Sequence, residues 1–345
     1  MNSLRLRGPA LALGLLCVLL PSLGPVGCSS GSPPEAEAAP RIAFVTNNAS
    51  DFWVLARKGV EDAAAALGVN ASVHMPTGGV ADQKRVLEDL LVKGVDGIAV
   101  SPIDPGNQTE FLDTVAARTA LVTHDSDAPD SARRCFIGVD NYEAGWLCGD
   151  LIAEALPEGG KVAIFVGRME QDNARRRRQG IIDRLTGRER DPSRFDPPGS
   201  VIDGGGYSII GTYTDQIDYA KAKANAEDVL TRHSDIGVLV GLFGYNTPMI
   251  LEALDGAGKR GRIPVVGFDE EESTLVGIED GAVHGTVVQN PYQYGYRSVE
   301  LLRAYATGAD AVAPADGFLN VPARAVRQAD LEEFRADLAK KLGRE

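Results

Sequence analysis

Cysteine is scarce in this chain: four in 345 residues. Two of them, Cys17 and Cys28, lie near the start, so the body of the protein carries Cys135 and Cys148 alone. That excludes a disulfide-stapled scaffold. An oxidising compartment would permit the two to pair, but Cys135 sits in an apolar strand-like run and Cys148 on the following helix, which favours buried free thiols. Histidine is equally sparse, at positions 74, 124, 233 and 284, with no Cys/His grouping at metal-ligand spacing. Basic residues are outnumbered, 35 Lys and Arg against 48 Asp and Glu, for a formal charge of −13. Such a surface repels phosphate backbones and anionic lipid, so nucleic acid is not an expected partner. No phosphate-binding loop, dinucleotide fingerprint or G-x-S-x-G elbow occurs. Gly204-Gly205-Gly206 precedes a strand-like run and reads as loop. No cofactor and no metal are expected.

Long apolar runs are missing too. The run Ala10–Leu20 is about eleven residues, short of the roughly 20 that a membrane-spanning helix needs. It follows Arg5 and Arg7 and precedes the small, breaker-rich segment Pro21–Gly27. That is the order of a secretory signal, so residues 1–27 read as a signal peptide and the protein as exported, to the periplasm or cell envelope. Val26-Gly27-Cys28 resembles the lipobox of bacterial lipoproteins, with Pro25 where Leu is usual, and makes Cys28 the candidate for lipidation. Leu16 before Cys17 is too bulky for that role. Residues 28–40 are Ser, Gly, Pro, Ala and Glu with almost nothing to bury, and read as a flexible tether from a membrane lipid anchor.

From Arg41 onward short β-branched runs alternate with amphipathic stretches. Ile42–Thr46, Ala71–Met75, Gly97–Val100, Ala120–Thr123 and Cys135–Val139 are strand-like. Between them, Asp51–Leu67 carries Leu55, Gly59, Ala63 and Leu67 on one helical face, and Ala81–Lys93 and Asn107–Arg118 follow suit. The cycle restarts at Asn141–Leu156 and runs to the helix Tyr292–Thr307, interrupted by a polar Gly/Pro-rich insertion at Thr186–Gly206. The strands are apolar throughout, as parallel strands covered on both faces are. Alternation means parallel sheets with right-handed crossovers. About ten strands exceed one comfortable sheet, so the expectation is α/β with two doubly wound lobes.

Ligands of such folds bind beyond the carboxyl ends of the strands. The first strand end, Thr46-Asn47-Asn48-Ala49-Ser50-Asp51-Phe52-Trp53, sets two aromatics beside small polar groups. An aromatic face suits the C–H face of a sugar ring; the alternative is that one of Phe52 and Trp53 is a staple and core residue. His124-Asp125-Ser126-Asp127 offers a carboxylate for hydroxyl groups, unless Asp125 is a turn residue. In Asn173-Ala174-Arg175-Arg176-Arg177-Arg178 the arginine nearest the helix start, Arg175, is picked to lean into the cleft, the others forming a solvated face. Asn246, Asp269 and Gln289 stand at or beyond three further strand ends.

Taken in order, Phe52-Trp53, Asp125, Arg175, Asn246, Gly267-Phe268-Asp269 and Gln289 make the chain, from about Arg41 to Val321, resemble the periplasmic solute-binding proteins of ribose and galactose/glucose type that serve ABC sugar importers. The resemblance implies a type I binding-protein fold, two lobes joined by three strands, and a sugar clamped between them. It puts crossings near Val139-Asp140, Gln289-Asn290 and Phe318, hence lobes of residues 41–139 with 290–318 and 140–289 with 319–345. It implies a ligand set of Ser50, Phe52, Trp53, Asp125, Arg175, Asn246, Asp269 and Gln289. It further implies a non-enzymatic monomer that hands a monosaccharide to an ABC permease and its ATPase. Ser126 replaces an Arg of ribose binders, Ser50 an Asn, and Gln216 or Ile217 a second-lobe aromatic. These departures count against ribose itself, while Asp125–Pro129 through Gly138–Gly145, with Tyr245–Pro248, look closer to glucose- and xylose-type members and favour a pyranose aldose. The alternative within the family is a sugar or signal-molecule sensor for a chemoreceptor or two-component system. A repressor would need an N-terminal helix-turn-helix where the signal stands. A glycosidase would need Asp125 and Asp269 to flank a scissile bond, whereas this architecture puts them on opposite lobes.

Overall fold

The computed structural model of the protein describes residues 38–309 and 313–344. The signal segment, Cys28 and the tether as far as residue 37 lie outside them. No helix among the described residues is long and apolar enough to cross a membrane.

The first lobe grows from β1 (Arg41–Val45), buried after its first residue. Then come α1 (Phe52–Leu67), β2 (Asn70–His74), α2 (Gly79–Lys93), β3 (Gly97–Val100), α3 (Pro105–Ala116), β4 (Ala120–His124) and β5 (Phe136–Gly138). Helix ends are written in local chemistry. Gly68 and Gly94 close α1 and α2 in the left-handed conformation. Pro105 opens α3 behind the Asp104 cap.

The second lobe follows as α4 (Asn141–Ala155), β6 (Gly160–Val166), α5 (Asp172–Thr186), β7 (Ile202–Gly204), β8 (Tyr207–Thr214), α6 (Tyr219–Arg232), β9 (Ile236–Gly241), α7 (Asn246–Gly256), β10 (Val265–Phe268), α8 (Glu272–Glu279) and β11 (Val283–Val288). The chain then supplies α9 (Pro291–Thr307), β12 (Phe318–Asn320), β13 (Arg324–Val326) and α10 (Leu331–Lys341).

Two separate sheets result, in the orders β12-β5-β4-β3-β1-β2 and β13-β11-β10-β9-β6-β8-β7. Their pairings are parallel except those of β13 with β11 and β7 with β8. The fold is therefore two doubly wound lobes, the type I binding-protein architecture. The chain passes between lobes after β5, after β11 and after β12. Because Phe318–Asn320 still pairs with Phe136–Gly138, the third passage falls at residues 321–323 and not at Phe318. The insertion Thr186–Gly206 is not all loop either. Its end folds back as β7, through Gly205 and Gly206 at φ 58° and 87°, the positive values a tight hairpin turn needs. The C-terminal β13 is too short to show a period, and α10, with Leu331, Phe334 and Leu338 along one face, was not picked out.

Glycine sets the closest helix contacts. On α1 and α9, a Cβ at Gly59 would lie 2.0 Å from the carbonyl oxygen of Tyr292, and one at Gly295 2.0 Å from that of Ala56. On α4 and α5, a Cβ at Gly145 would lie 2.0 Å from the carbonyl oxygen of Arg177, and one at Gly180 2.1 Å from that of Tyr142. Backbones pack directly at both places, and the second contact fixes the depth at which Arg177 sits. Cys135 and Cys148 are both buried and free.

Candidate ligand-binding site

Strand ends from both lobes converge on one cavity of about 60 Å³. At roughly 10–15 Å³ per water in this measure, the space suits a few water-sized groups, the scale of one small polar ring. Its lining includes Asn47, Ser50, Phe52, Trp53, Asp125, Asn173, Arg177, Tyr219, Phe243, Asp269, Glu271 and Gln289.

Two aspartates form the polar floor, and both are placed by the same device. Asp125 follows β4 and Asp269 follows β10, at φ 61° and 66°. Aspartate tolerates this left-handed conformation better than most residues. In each case the backbone N–H still bonds to the next strand, Asp125 to the Ile137 carbonyl at 3.1 Å and Asp269 to the Val287 carbonyl at 2.9 Å. The chain then turns, aiming the carboxylate into the cavity. Asp125 Oδ2 accepts from Ser101 Oγ at 3.0 Å, Asn47 Nδ2 at 3.2 Å and Asn173 Nδ2 at 3.4 Å. Asp269 Oδ1 accepts from Gln289 Nε2 at 2.8 Å, and Gln289 Oε1 accepts from Tyr294 Oη at 3.0 Å. Burial raises the Asp125 pKa to about 6, against the pull of Arg177 and Ser101. Burial raises Asp269 as well, again opposed by Arg177.

The guanidinium that faces them belongs to Arg177, 1% exposed. Its Nη2 lies 4.0 Å from Asp125 Oδ1 and has no hydrogen-bond partner among the described residues. The rest of the group is held: Nε donates to Asn141 Oδ1 at 2.9 Å and Nη1 to the Leu242 carbonyl at 3.0 Å, while Phe268 packs flat beside it, 4.7 Å to the ring centroid. Arg175 lies outside the cavity, exposed, with its guanidinium over Phe195. The reason is helical register. Asn173 and Arg177 are four apart on the inward face of α5, whereas Arg175 points half a turn away. The helix-start argument picked proximity to the cap where the face decides. Nor is the remainder of the run solvated: Arg178 is fully buried and spends its donors on Thr212, Asp196 and Pro197.

The ring wall is built at the start of α1. Trp53 is buried, with Nε1 donating to Asn48 Oδ1 at 3.0 Å. Its ring stands edge-on to Phe44, Phe52 and His124. His124, the last residue of β4, lies flat on Phe44 at 3.9 Å and sits wholly buried, which lowers its pKa to about 3. Phe52 and Ser50 also line the cavity.

Asn246 sits one layer behind the cavity. Its Nδ2 donates to Asp215 Oδ2 at 3.0 Å and its Oδ1 accepts from the Phe243 backbone N–H at 3.0 Å, so it shapes the Phe243–Tyr245 loop that does line the site. Asp215 also accepts from the Ile217 N–H at 2.8 Å and from the Tyr245 hydroxyl. Gln216 and Ile217 adopt φ 63° and 67° there. For a β-branched residue that is a strained backbone, and it puts Ile217 against the cavity where the resemblance implies an aromatic. Sequence reading missed Asn47, Gln171, Asn173, Arg177, Tyr219, Phe243 and Glu271. For Asn173 and Arg177 the four-residue spacing was the available signal. Glu271 lies two residues past Asp269 in the same strand-end loop, and burial beside Asp51 and Asp269 raises its pKa to about 7.

Two parallel α/β lobes, three short passages between them and a buried polar cavity with a ring wall define a two-lobed solute-binding protein. The chain belongs to the periplasmic binding protein domain family, which matches residues 42–310. It is 26% identical over 286 residues to a ribose import binding protein of Bacillus subtilis, covering 82% of this chain and 86% of that protein. It is likewise 26% identical over 280 residues to the D-allose-binding periplasmic protein of Escherichia coli, covering 78% and 85%. A glucose-galactose binding protein of Geobacillus stearothermophilus superposes with TM-score 0.76 at 25% identity, over 86% of this chain and 99% of that one. A solute-binding protein of Burkholderia graminis, solved with D-arabinose, gives TM-score 0.76 at 25% identity over 85% and 96%.

Proposed function

We propose that this protein captures a monosaccharide of the aldose type between its two lobes and presents it to an ABC permease driven by an ATPase. The observation that carries the reading is the meeting of Asp125, Asp269 and Arg177 beside the Phe52–Trp53 wall in one buried cavity. Carboxylates accept from hydroxyls and a guanidinium donates to them, so the three groups suit a polyhydroxylated ring. The relatives named for ribose, allose and glucose-galactose support the same reading. Binding is favoured over catalysis because each carboxylate already accepts from protein donors, an arrangement for clamping hydroxyls. Since Asp125 belongs to the first lobe and Arg177 and Asp269 to the second, a ligand touching all three favours the closed arrangement by hinge motion. Export by residues 1–27 and anchoring through a lipid on Cys28 complete the proposal. They would keep a monomeric trap near its permease.

Thermal-shift screening of the mature protein with pentoses, hexoses, polyols, inositols and amino sugars tests the reading. At least one should raise the melting temperature and change tryptophan emission, since Trp53 lines the cavity and the other tryptophan, Trp146, does not. Silence across the whole panel would sink it. Trp53→Ala should weaken the responding ligand at least tenfold.

A further inference from the structure

We propose that the site prefers an amine-bearing monosaccharide over its neutral counterpart, with the ammonium held at the cavity mouth by Glu271. The inference rests on the sugar-binding reading and narrows it. Among the described residues lining the cavity, Arg177 is the one cation, set against the carboxylates of Asp125, Asp269 and Glu271. Arg177 lies between the two aspartates and still has its buried Nη2 unpartnered, which marks the cavity as built for a ligand whatever the mouth does. Among the described residues lining the cavity, Glu271 has no second cation beside it. The charged groups that act on it are Asp51, across the cleft at the start of α1, and Asp269, both of its own sign. It also opens onto the adjoining cleft lined by Asp51, Glu270, Glu272 and, from the C-terminal tail, Arg344.

Sugar hydroxyls satisfy Asp125, Asp269 and Arg177 without charge. They leave Glu271, whose pKa burial and those like charges raise to about 7, without a counter-charge, and like charges brought together by lobe closure repel. A protonated amine supplies the missing charge and three donors at once. An aromatic face stands ready beside it. Tyr219 lines the cavity, is 45% exposed and stacks flat on Tyr245 at 4.6 Å. Its charged neighbours are Glu271, Asp51 and Asp215. A cation above such a ring gains further attraction.

Calorimetric titration of the mature protein at pH 7 tests this with matched pairs: D-glucosamine and D-glucose, D-galactosamine and D-galactose, D-mannosamine and D-mannose. At least one amine should bind tenfold or more tightly than its partner, and Glu271→Gln should cut that ratio at least fivefold. Asp51→Asn, at an exposed position, should cut it in the same direction and serves if the first variant folds poorly. Neutral sugars that bind as tightly as the amines, or a ratio unmoved by both substitutions, would overturn the inference and leave the sugar reading intact. Failure of both members of every pair, together with a silent thermal-shift panel, would strike the sugar reading itself.

Discussion

Arg177 and Arg175, two residues apart on α5, should behave as opposites on substitution. In Arg177→Met the cavity loses its cation and the donor Nη2 that has no partner among the described residues. A hydrogen bond to a charged group contributes about 1.5–3 kcal/mol, so the ligand dissociation constant should rise about 10- to 150-fold at 1.4 kcal/mol per decade. Stability should fall as well. Asn141 Oδ1 and the Leu242 carbonyl lose their donor, and Asp125 and Asp269 lose the charge that opposes their burial. Breaking a buried charge arrangement from one side typically costs about 3–5 kcal/mol. The pH dependence has a definite sign. The Asp125 pKa is raised when folded, so its contribution is fully present below the unfolded value near 3.9 and is lost as pH rises through about 6. Without Arg177 that window moves up, and the variant should be less crippled at pH 5 than at pH 7. Arg175→Ala removes an exposed guanidinium from the face of Phe195 and should leave affinity within twofold. Titration calorimetry with the best ligand, and thermal melts at both pH values, read all of this. Affinity within threefold of wild type for Arg177→Met, or equal losses for the two variants, would refute the register argument.

The packing of α4 on α5 gives a second test. Gly145→Ala drives a Cβ into the Arg177 carbonyl and should cost about 1–3 kcal/mol or more by urea melts, as overpacking does, and also weaken ligand. Combined with Gly180→Ala the loss should fall short of the sum, because both residues serve one helix contact; strict additivity would argue against that contact. Gly256→Ala, with nothing within 4 Å of the added carbon, should be neutral or slightly stabilising. His124 supplies an acid-dependent test. Its folded pKa near 3 lies below the unfolded value of about 6.5, so the stability it contributes is present above 6.5 and erodes as pH falls toward 3. That amounts to about 2 kcal/mol between pH 7 and 5, and His124→Phe should abolish the loss. An unchanged acid sensitivity in paired melts would show that the imidazole is not held neutral.

How far the sequence could be read depended on which physical rule decided each residue. The alternation of apolar runs with amphipathic stretches reported the two parallel lobes because burial on both faces writes itself into every strand. Asp125, Asp269 and Gln289 were visible because residues at strand ends can reach a cleft wherever the sheet twists. Arg177 was not, since four consecutive arginines compete and only the rotation of α5, set at Gly145 and Gly180, chooses among them. Asn246 was assigned one layer too far forward because its partner, Asp215, belongs to a strained turn that no periodicity announces. The strand β7 is three residues long and paired to its immediate neighbour β8, too short to show a period, whereas Leu331, Phe334 and Leu338 of α10 stand at helical spacing that was there to be read. Cys28 and the lipid anchor rest on motif alone.

The two lobes solve the same problem with the same parts, and the way they share those parts gives the proposed closure a structural route. An aspartate at positive φ ends β4 in one lobe and β10 in the other. The strand after each, β5 and β11, leads into a helix that packs on the opposite lobe: α4 on α5, and α9 on α1. Both contacts use a glycine on each helix against a backbone carbonyl. The helices packed on by these crossing helices, α1 and α5, are the two whose first two turns carry the site, Phe52 and Trp53 in one and Asn173 and Arg177 in the other. The passages between lobes therefore leave from residues that touch the cavity or its immediate support. Asn141, the first residue of α4, donates to the Asp125 carbonyl at 3.4 Å and accepts from Arg177. Gln289, just before α9, holds Asp269. Under the closure proposed above, a ligand that draws Asp125 and Arg177 together would act on the connecting segments directly, through the hydrogen bonds of Asn141 and Gln289.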